Sequence, residues 1–220
     1  MMKIDFNVHT HHSIDSLINP SDLAKKSKAL GIIPAITDHN SIRAHKEMRS
    51  LGGPFIPGEE IYTDRGDLIG LFIEDEIPKG TAFEEALDRI HQQGGLSYLP
   101  HMFDISRKGG GEVPARFIRK IDLVEIFNAR CLADSFNEKA LDFAKKNLIP
   151  GLAGSDSHFL FEFGSTYNTL GDFDLDDPKA LIKSIEAKEP VLTARKAPIY
   201  VRGTTRFVSL WKRISGKGKV

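Results

Sequence analysis

A chain of 220 residues, 40% of them hydrophobic, buries a core as one domain with room for a small appendage. Its 30 basic and 30 acidic side chains balance, so bulk charge gives no reason to expect a nucleic-acid binder. Cys131 is the single cysteine, which excludes an internal disulfide; with no signal-like leader and no apolar run near the roughly 20 residues of a bilayer span, a cytoplasmic location is expected.

Strand-like and helix-like segments alternate along the chain. Lys3 to Val8 reads as a strand. Asn19-Pro20-Ser21-Asp22 then opens a helix, since Asn, Ser and Asp cap helices and Pro suits the first turn; Gly31 ends it. Residues 32–37 form a buried-looking strand that stops at Asp38-His39-Asn40, and 41–51 a second helix. Residues 55–57 and 68–73 read as strands, 82–93 as a helix closed by Gly94-Gly95, and 96–99 as a strand ending at Pro100-His101. Gly109, Gly110 and Gly111 predict a mobile loop. A helix, a strand (121–127), a helix (133–146) and a strand (150–153) follow, and the last runs into Gly154-Ser155-Asp156-Ser157-His158. Some seven such units predict a closed, mostly parallel β/α barrel, whose active site belongs at the C-terminal ends of the strands.

Residues 191–220 hold eight Lys/Arg (Arg195, Lys196, Arg202, Arg206, Lys212, Arg213, Lys217, Lys219) and no acid. They are read as a basic C-terminal arm beyond a domain spanning 1–190. The arm is either solvated or a contact for phosphate, RNA or an acidic membrane. Phe207, Leu210, Trp211 and Ile214 recur at helical spacing within it, and would dock the arm on the barrel or form a basic amphipathic surface helix.

The chemistry concentrates at strand ends. Residues i and i+2 of a strand point to one side, so His9 and His11 are expected to project together, with Asp15 four residues beyond His11. With His39, Glu60, His101, Asp156 and His158 they form one candidate metal cluster. Nitrogen and oxygen donors without a thiolate suit Zn, Mn or Fe(II). The set is too large for one four-coordinate ion, and two or three ions sharing a bridging carboxylate is the economical arrangement. His12, His45 and His91 are expected to be structural. Glu59 competes with Glu60.

His9-Thr10-His11, Ile36-Thr37-Asp38-His39-Asn40, Gly58-Glu59-Glu60-Ile61, Pro100-His101, the run from Val124 to Arg130 and Gly154-Ser155-Asp156-Ser157-His158 together resemble the polymerase-and-histidinol-phosphatase (PHP) family of metal-dependent phosphoesterases. The resemblance covers about residues 3–190. It implies a distorted (β/α)7 TIM-like barrel with a trinuclear site at its C-terminal face. By the same resemblance His9, His11 and Asp156 hold one metal; Glu60 bridges it to a second, which His101 also holds; Asp15, His39 and His158 surround a third. Asp38 is expected to orient an imidazole, as metal-bound histidines require. Where the family often has a glycine after the carboxylate matched to Asp15, this chain has Ser16.

A phosphoesterase also needs cations for the non-bridging phosphate oxygens. Arg130, after a strand end, is the first candidate, because a guanidinium meets phosphate in bidentate fashion; Arg65 and Arg107 lie in loops over the site. Cys131 is read as a packed side chain and not a nucleophile. The expected function is hydrolysis of a phosphate ester of a small molecule or nucleotide by metal-activated water at a di- or trinuclear site. The alternatives are an exonuclease acting on short RNA or DNA ends and a non-catalytic metal-binding module. Attack on C–N bonds ranks lower, for want of a lysine beside a matching motif.

Overall fold

The computed structural model describes residues 1–107 and 113–215; the predicted glycine loop, and Lys217 and Lys219 of the basic stretch, lie outside the described residues. Strand β1 (Met2–Val8) leads through a loop to α1 (Pro20–Leu30). Asn19 caps that helix, its Oδ1 accepting from the Ser21 amide at 2.9 Å. Gly31 closes it at φ 63°, a conformation that costs a glycine nothing. β2 (Ile32–Ile36), α2 (Arg43–Leu51) and β3 (Ile56–Thr63) follow, then β4 (Gly66–Leu71), α3 (Phe83–Gln92) and β5 (Leu96–Leu99). A short α4 (Ala115–Ile118), β6 (Leu123–Asn128), α5 (Asp134–Asn147) and β7 (Gly151–Gly154) complete the main run. α3 buries Phe83, Ala86, Leu87 and Ile90, the i, i+3, i+4, i+7 stripe of a helix laid on a sheet; a fully buried large apolar side chain of this kind contributes roughly 1.5–3 kcal/mol.

The seven strands lie side by side in chain order and form a nearly closed, barrel-shaped wall. Six run in one direction. β4 is the exception: it is antiparallel to both β3 and β5, because the two-residue link Asp64-Arg65 is long enough for a hairpin and far too short for a parallel crossover. Closure rests on β1, whose free edge is divided between two partners. The Asp156 amide donates to the Asn7 carbonyl at 2.9 Å and the His9 amide to the Ser157 carbonyl at 3.0 Å, which joins the end of β7 to the end of β1. The first half of β1 (Met2, Lys3, Ile4) instead pairs antiparallel with β8 (Tyr167–Leu170).

Beyond β8 come α6 (Pro178–Ala187), capped by the Asp177 side chain, and β9 (Val191–Thr193), which pairs with β8. The basic stretch then forms α7 (Tyr200–Ile214), lying across the top of the barrel. It docks by the side opposite to the one its apolar residues predict. Val201, Thr205 and Lys212 are buried, whereas Phe207 is 72% and Ile214 78% exposed. Lys212 decides the orientation: its Nζ donates to the carbonyls of His11, Ser13 and Ser16, each at 2.7 Å. Burial pushes the pKa of this ammonium down, and three acceptors match its three donors.

Candidate metal centre

Five of the six parallel strands deliver a histidine or carboxylate to the top of the wall. His9 follows β1 and Asp15 the loop beyond it; His39 follows β2, Glu60 is on β3, His101 follows β5, and Asp156 and His158 follow β7. The Glu60 carboxylate is the centre. Its Oε2 lies 3.1 Å from His9 Nε2 and 3.4 Å from His39 Nδ1, and its Oε1 lies 2.9 Å from His101 Nε2. Asp156 Oδ1 stands 3.4 Å from His9 Nε2 and 3.5 Å from His158 Nδ1. Asp15 closes the third side, 3.3 Å from His158 Nε2 and 3.7 Å from His39 Nε2.

These spacings test whether a metal fits. Two ligands each about 2.1 Å from a tetrahedral ion stand about 3.4 Å apart, which is the prevailing separation here and longer than good hydrogen bonds. His9 Nε2, Glu60 Oε2, Asp156 Oδ1 and Asp15 Oδ1 are buried and lack a hydrogen-bond partner within the described residues. Four orphaned polar atoms converging on one space are costly unless a cation shares them. The donor set fits borderline to hard divalent ions.

The electrostatics agree. Burial alone would lower the His9 pKa, but the Asp156 and Glu60 carboxylates outweigh it and hold it up at about 10. Burial likewise opposes ionisation of Glu60 and Asp156, yet His39 and His101 on one, and Arg107 and His9 on the other, keep both well below the usual carboxylate range. Asp15 is held low in the same way by His158 and His39, against burial. For His158 burial wins over Asp15 and leaves the imidazole at about 4, neutral at pH 7 as a metal-binding histidine would need to be. Two of the group lie in the left-handed region, His101 at φ 28° and Asp156 at φ 54°, a conformation that few non-glycine residues adopt.

Several expected positions fall elsewhere. His11 does not join His9; its ring lies 4.4 Å from that of His12, in a separate group with Glu47. β1 ends at Val8 and the chain turns at once, with the Ser13 amide bonded to the Thr10 carbonyl at 3.0 Å, so strand alternation does not reach past His9. The residue that shares the His9 face is Asn7, whose Nδ2 donates to Glu125 Oε1 at 3.2 Å. Asp38 touches no imidazole directly. It accepts from the Thr10 amide and Oγ1 and from the Ser13 Oγ, each at 2.6 Å, and Ser13 Oγ stands 3.2 Å from His9 Nδ1. Asp38 therefore acts on His9 through Ser13. Glu59, the competitor of Glu60, turns to the opposite side of β3 and accepts from the Ile77 amide at 2.8 Å.

The three arginines also separate. Arg107 reaches the cluster and pairs with Asp156. Arg130 is buried and already committed, donating to the Asp156 carbonyl (3.3 Å), the Val201 carbonyl (3.1 Å) and Thr205 Oγ1 (3.2 Å); it ties the centre to α7 rather than presenting a free fork. Arg65 is exposed and lies over the Phe117 ring, 5.9 Å from its centroid, away from the cleft. Burial pushes the Cys131 thiol up to about 12, which keeps it inert. Sequence reasoning missed Asp67 on β4, grouped with Glu60 and His101, and Arg202 on α7, 3.1 Å from Asp104 and lining the cleft above the cluster. A carboxylate just inside a hairpin strand was the available signal for Asp67; for Arg202 there was none beyond the basic composition. Of the structural histidines, His45 and His91 make the hydrogen bonds expected of helix residues, to the Gly58 carbonyl and to Asp122.

Comparison with known proteins follows the same lines. The family model described as PHP-associated matches residues 134–190. The uncharacterized protein MJ0417 of Methanocaldococcus jannaschii is 39% identical over 186 residues, covering 82% of this chain and 75% of the relative. Among solved structures, a two-domain protein from Bacteroides vulgatus containing a predicted PHP-like metal-dependent phosphoesterase superposes with a TM-score of 0.71 at 16% identity, over 88% of this chain and 65% of that one. The lesion-specific endonuclease PfuEndoQ of Pyrococcus furiosus superposes with a TM-score of 0.60 at 18% identity, over 87% and 57%. At such identities the two structures speak for the fold.

Proposed function

The chain belongs to the PHP domain family, and from that premise we propose that it is a metal-dependent phosphoesterase working at the top of its barrel. The observation that carries this is the convergence of seven nitrogen and oxygen side chains from five strand ends, four of them with buried unpartnered atoms. His9, Glu60, His101 and Asp156 would hold one part of a two- or three-ion centre, with Asp67 beside it, and Asp15, His39 and His158 the other. Glu60, beside His9, His39 and His101, would be the carboxylate shared between them. Divalent ions bound there (Zn, Mn or Fe) would activate water and neutralise the charge on a phosphoryl group.

The chain's own residues do the rest. Arg107 places a guanidinium beside Asp156, where it would meet the non-bridging oxygens of a bound phosphate. Ser13, held by Asp38, fixes the ring of His9. Arg130 holds the Asp156 backbone in its left-handed conformation and anchors α7 over the cleft. A second reading, cleavage at the ends of nucleic acids, is favoured by the arginines that α7 adds to the cleft.

The test is phosphate release under added Mn²⁺, Zn²⁺ or Mg²⁺ from p-nitrophenyl phosphate, 5'- and 3'-nucleotides, a 3',5'-bisphosphate and a 5'-phosphorylated oligoribonucleotide, with His9→Ala alongside. Release lost in the variant supports hydrolysis. Retention of metals with turnover of none of these would favour the reading as a non-catalytic metal-binding module.

A further inference from the structure

One face of α7 carries Arg202, Arg206, Ser209 and Arg213, spaced four, three and four residues apart, and so spanning about 16 Å of helix. The first two line the cleft that also holds Asp15, His39, Asp156 and His158. Arg206, Ser209 and Arg213 line an adjoining hollow, and Asp15 belongs to both. Arg202 is occupied: it bonds Ser106 Oγ at 2.6 Å and Asp104 at 3.1 Å. Arg206 and Arg213 are exposed and form no ion pair with any described residue. In a chain with as many acids as bases, residues 191–220 supply no carboxylate to meet them. The helix that carries them is anchored, because Lys212, beside Arg213, donates to three carbonyls of the loop that bears Asp15.

We propose that Arg206 and Arg213 form a second anion subsite, which takes a further phosphoryl group of a substrate whose reacting phosphate lies at the metal centre. The inference rests on the phosphoesterase reading and sharpens it, since it makes the preferred substrate one with at least two phosphates. The ligand chemistry is a phosphate monoester or diester next to the scissile one, from either a small bisphosphorylated molecule or a short single strand.

Kinetics on matched substrates tests this: a nucleoside 5'-monophosphate, the corresponding 3',5'-bisphosphate and a 5'-phosphorylated tetranucleotide. R206A/R213A is expected to lower the preference (kcat/KM of the two-phosphate substrates over that of the monophosphate) on the order of tenfold, through KM. The rise of KM with added salt, steeper for the two-phosphate substrates in the wild type, flattens in the variant. Arg206→Lys with Arg213→Lys restores most of the preference. Equal losses on one- and two-phosphate substrates overturn the subsite. Preference for the tetranucleotide or for the bisphosphate supports it in either case and assigns the source of the second phosphate. Anisotropy of a fluorescein-labelled tetranucleotide, read without added metal, separates the two ideas. Arginine-dependent binding without turnover of any ester keeps the subsite and removes the hydrolytic reading. Turnover with neither binding nor KM responding to the arginines does the reverse.

Discussion

Two groups of histidine and carboxylate share the short segment after β1, and only one of them is built into the barrel. His9 meets Glu60 and Asp156 with all three side chains fully buried. His11 and His12 meet Glu47 at the surface, where the Glu47 side chain is 46% exposed and His12 already bonds it at 2.7 Å. Residue type and proximity are nearly the same. The difference is that strand ends fix the first group and solvent is excluded from it, so its unpartnered atoms need a cation. The second group is satisfied by its own hydrogen bond and by water. Metal-ligand chemistry therefore follows from burial and anchoring more than from the presence of histidines.

The largest break in that comparison is Glu60→Gln. It removes the charge shared by three imidazoles, and we expect metal content after dialysis to collapse and phosphate release to fall roughly a hundredfold or more, since even outer partners of metal ligands contribute 10–100-fold. Next is Asp38→Asn, which disturbs Ser13 and hence the His9 ring; about a tenfold loss of metal affinity is expected by competition with a chromogenic chelator, with the fold retained by circular dichroism. Lys212→Met cuts the tether of the loop that carries both groups. Three buried carbonyl partners are stranded, and urea unfolding should show a loss of about 1–3 kcal/mol.

Protonation sharpens the contrast. In metal-free protein His9 should titrate near pH 10 by ring-proton NMR, while burial and the neighbouring His12 hold His11 below its ordinary value. The folded pKa of His9 lies above its unfolded value of about 6.5. Its contribution to stability is therefore full below pH 6.5 and lost as pH rises through about 10. Metal-free protein should show that decline in its urea midpoint. Bound metal removes it, because a ligating imidazole is already deprotonated. The smallest effect belongs to His11→Ala, expected within about 0.5 kcal/mol of wild type and with unchanged metal content. A stripped centre in that variant would return His11 to the metal set and undo the comparison.

Much of this was legible beforehand because strand ends leave a strong mark. A short apolar run, β-branched before Asp38-His39 and Leu96-Ser97-Tyr98-Leu99 before Pro100-His101, identifies both an element and its polar tip, and the barrel brings such tips together. His11 was misplaced because alternation was carried one step beyond the point where hydrogen bonding ends the strand. The reversal of β4 is not part of the parallel pattern the sequence predicts, although only two residues separate Thr63 from Gly66, a link that only a hairpin satisfies. α6 went unmarked despite Asp177-Pro178, a capping residue before a helix-compatible proline. The face on which α7 docks was not readable at all. Amphipathic pattern turns Phe207 and Ile214 inward, and one lysine with three carbonyls to fill turns them out.

The divided edge of β1 has a kinetic consequence. The first strand of the chain finds its closing partners only in residues that follow about 150 positions later, at Ser155, Asp156 and Ser157 and again along β8. Contacts of such separation are expected to form after the β1–β3 and β5–β7 neighbourhoods, because their loop-closure cost is larger. His9 and Asp156, on the two sides of that seam, meet only when it shuts. Uptake of a spectroscopically visible ion such as Co²⁺ during refolding would therefore follow closure of the barrel and serve as its clock.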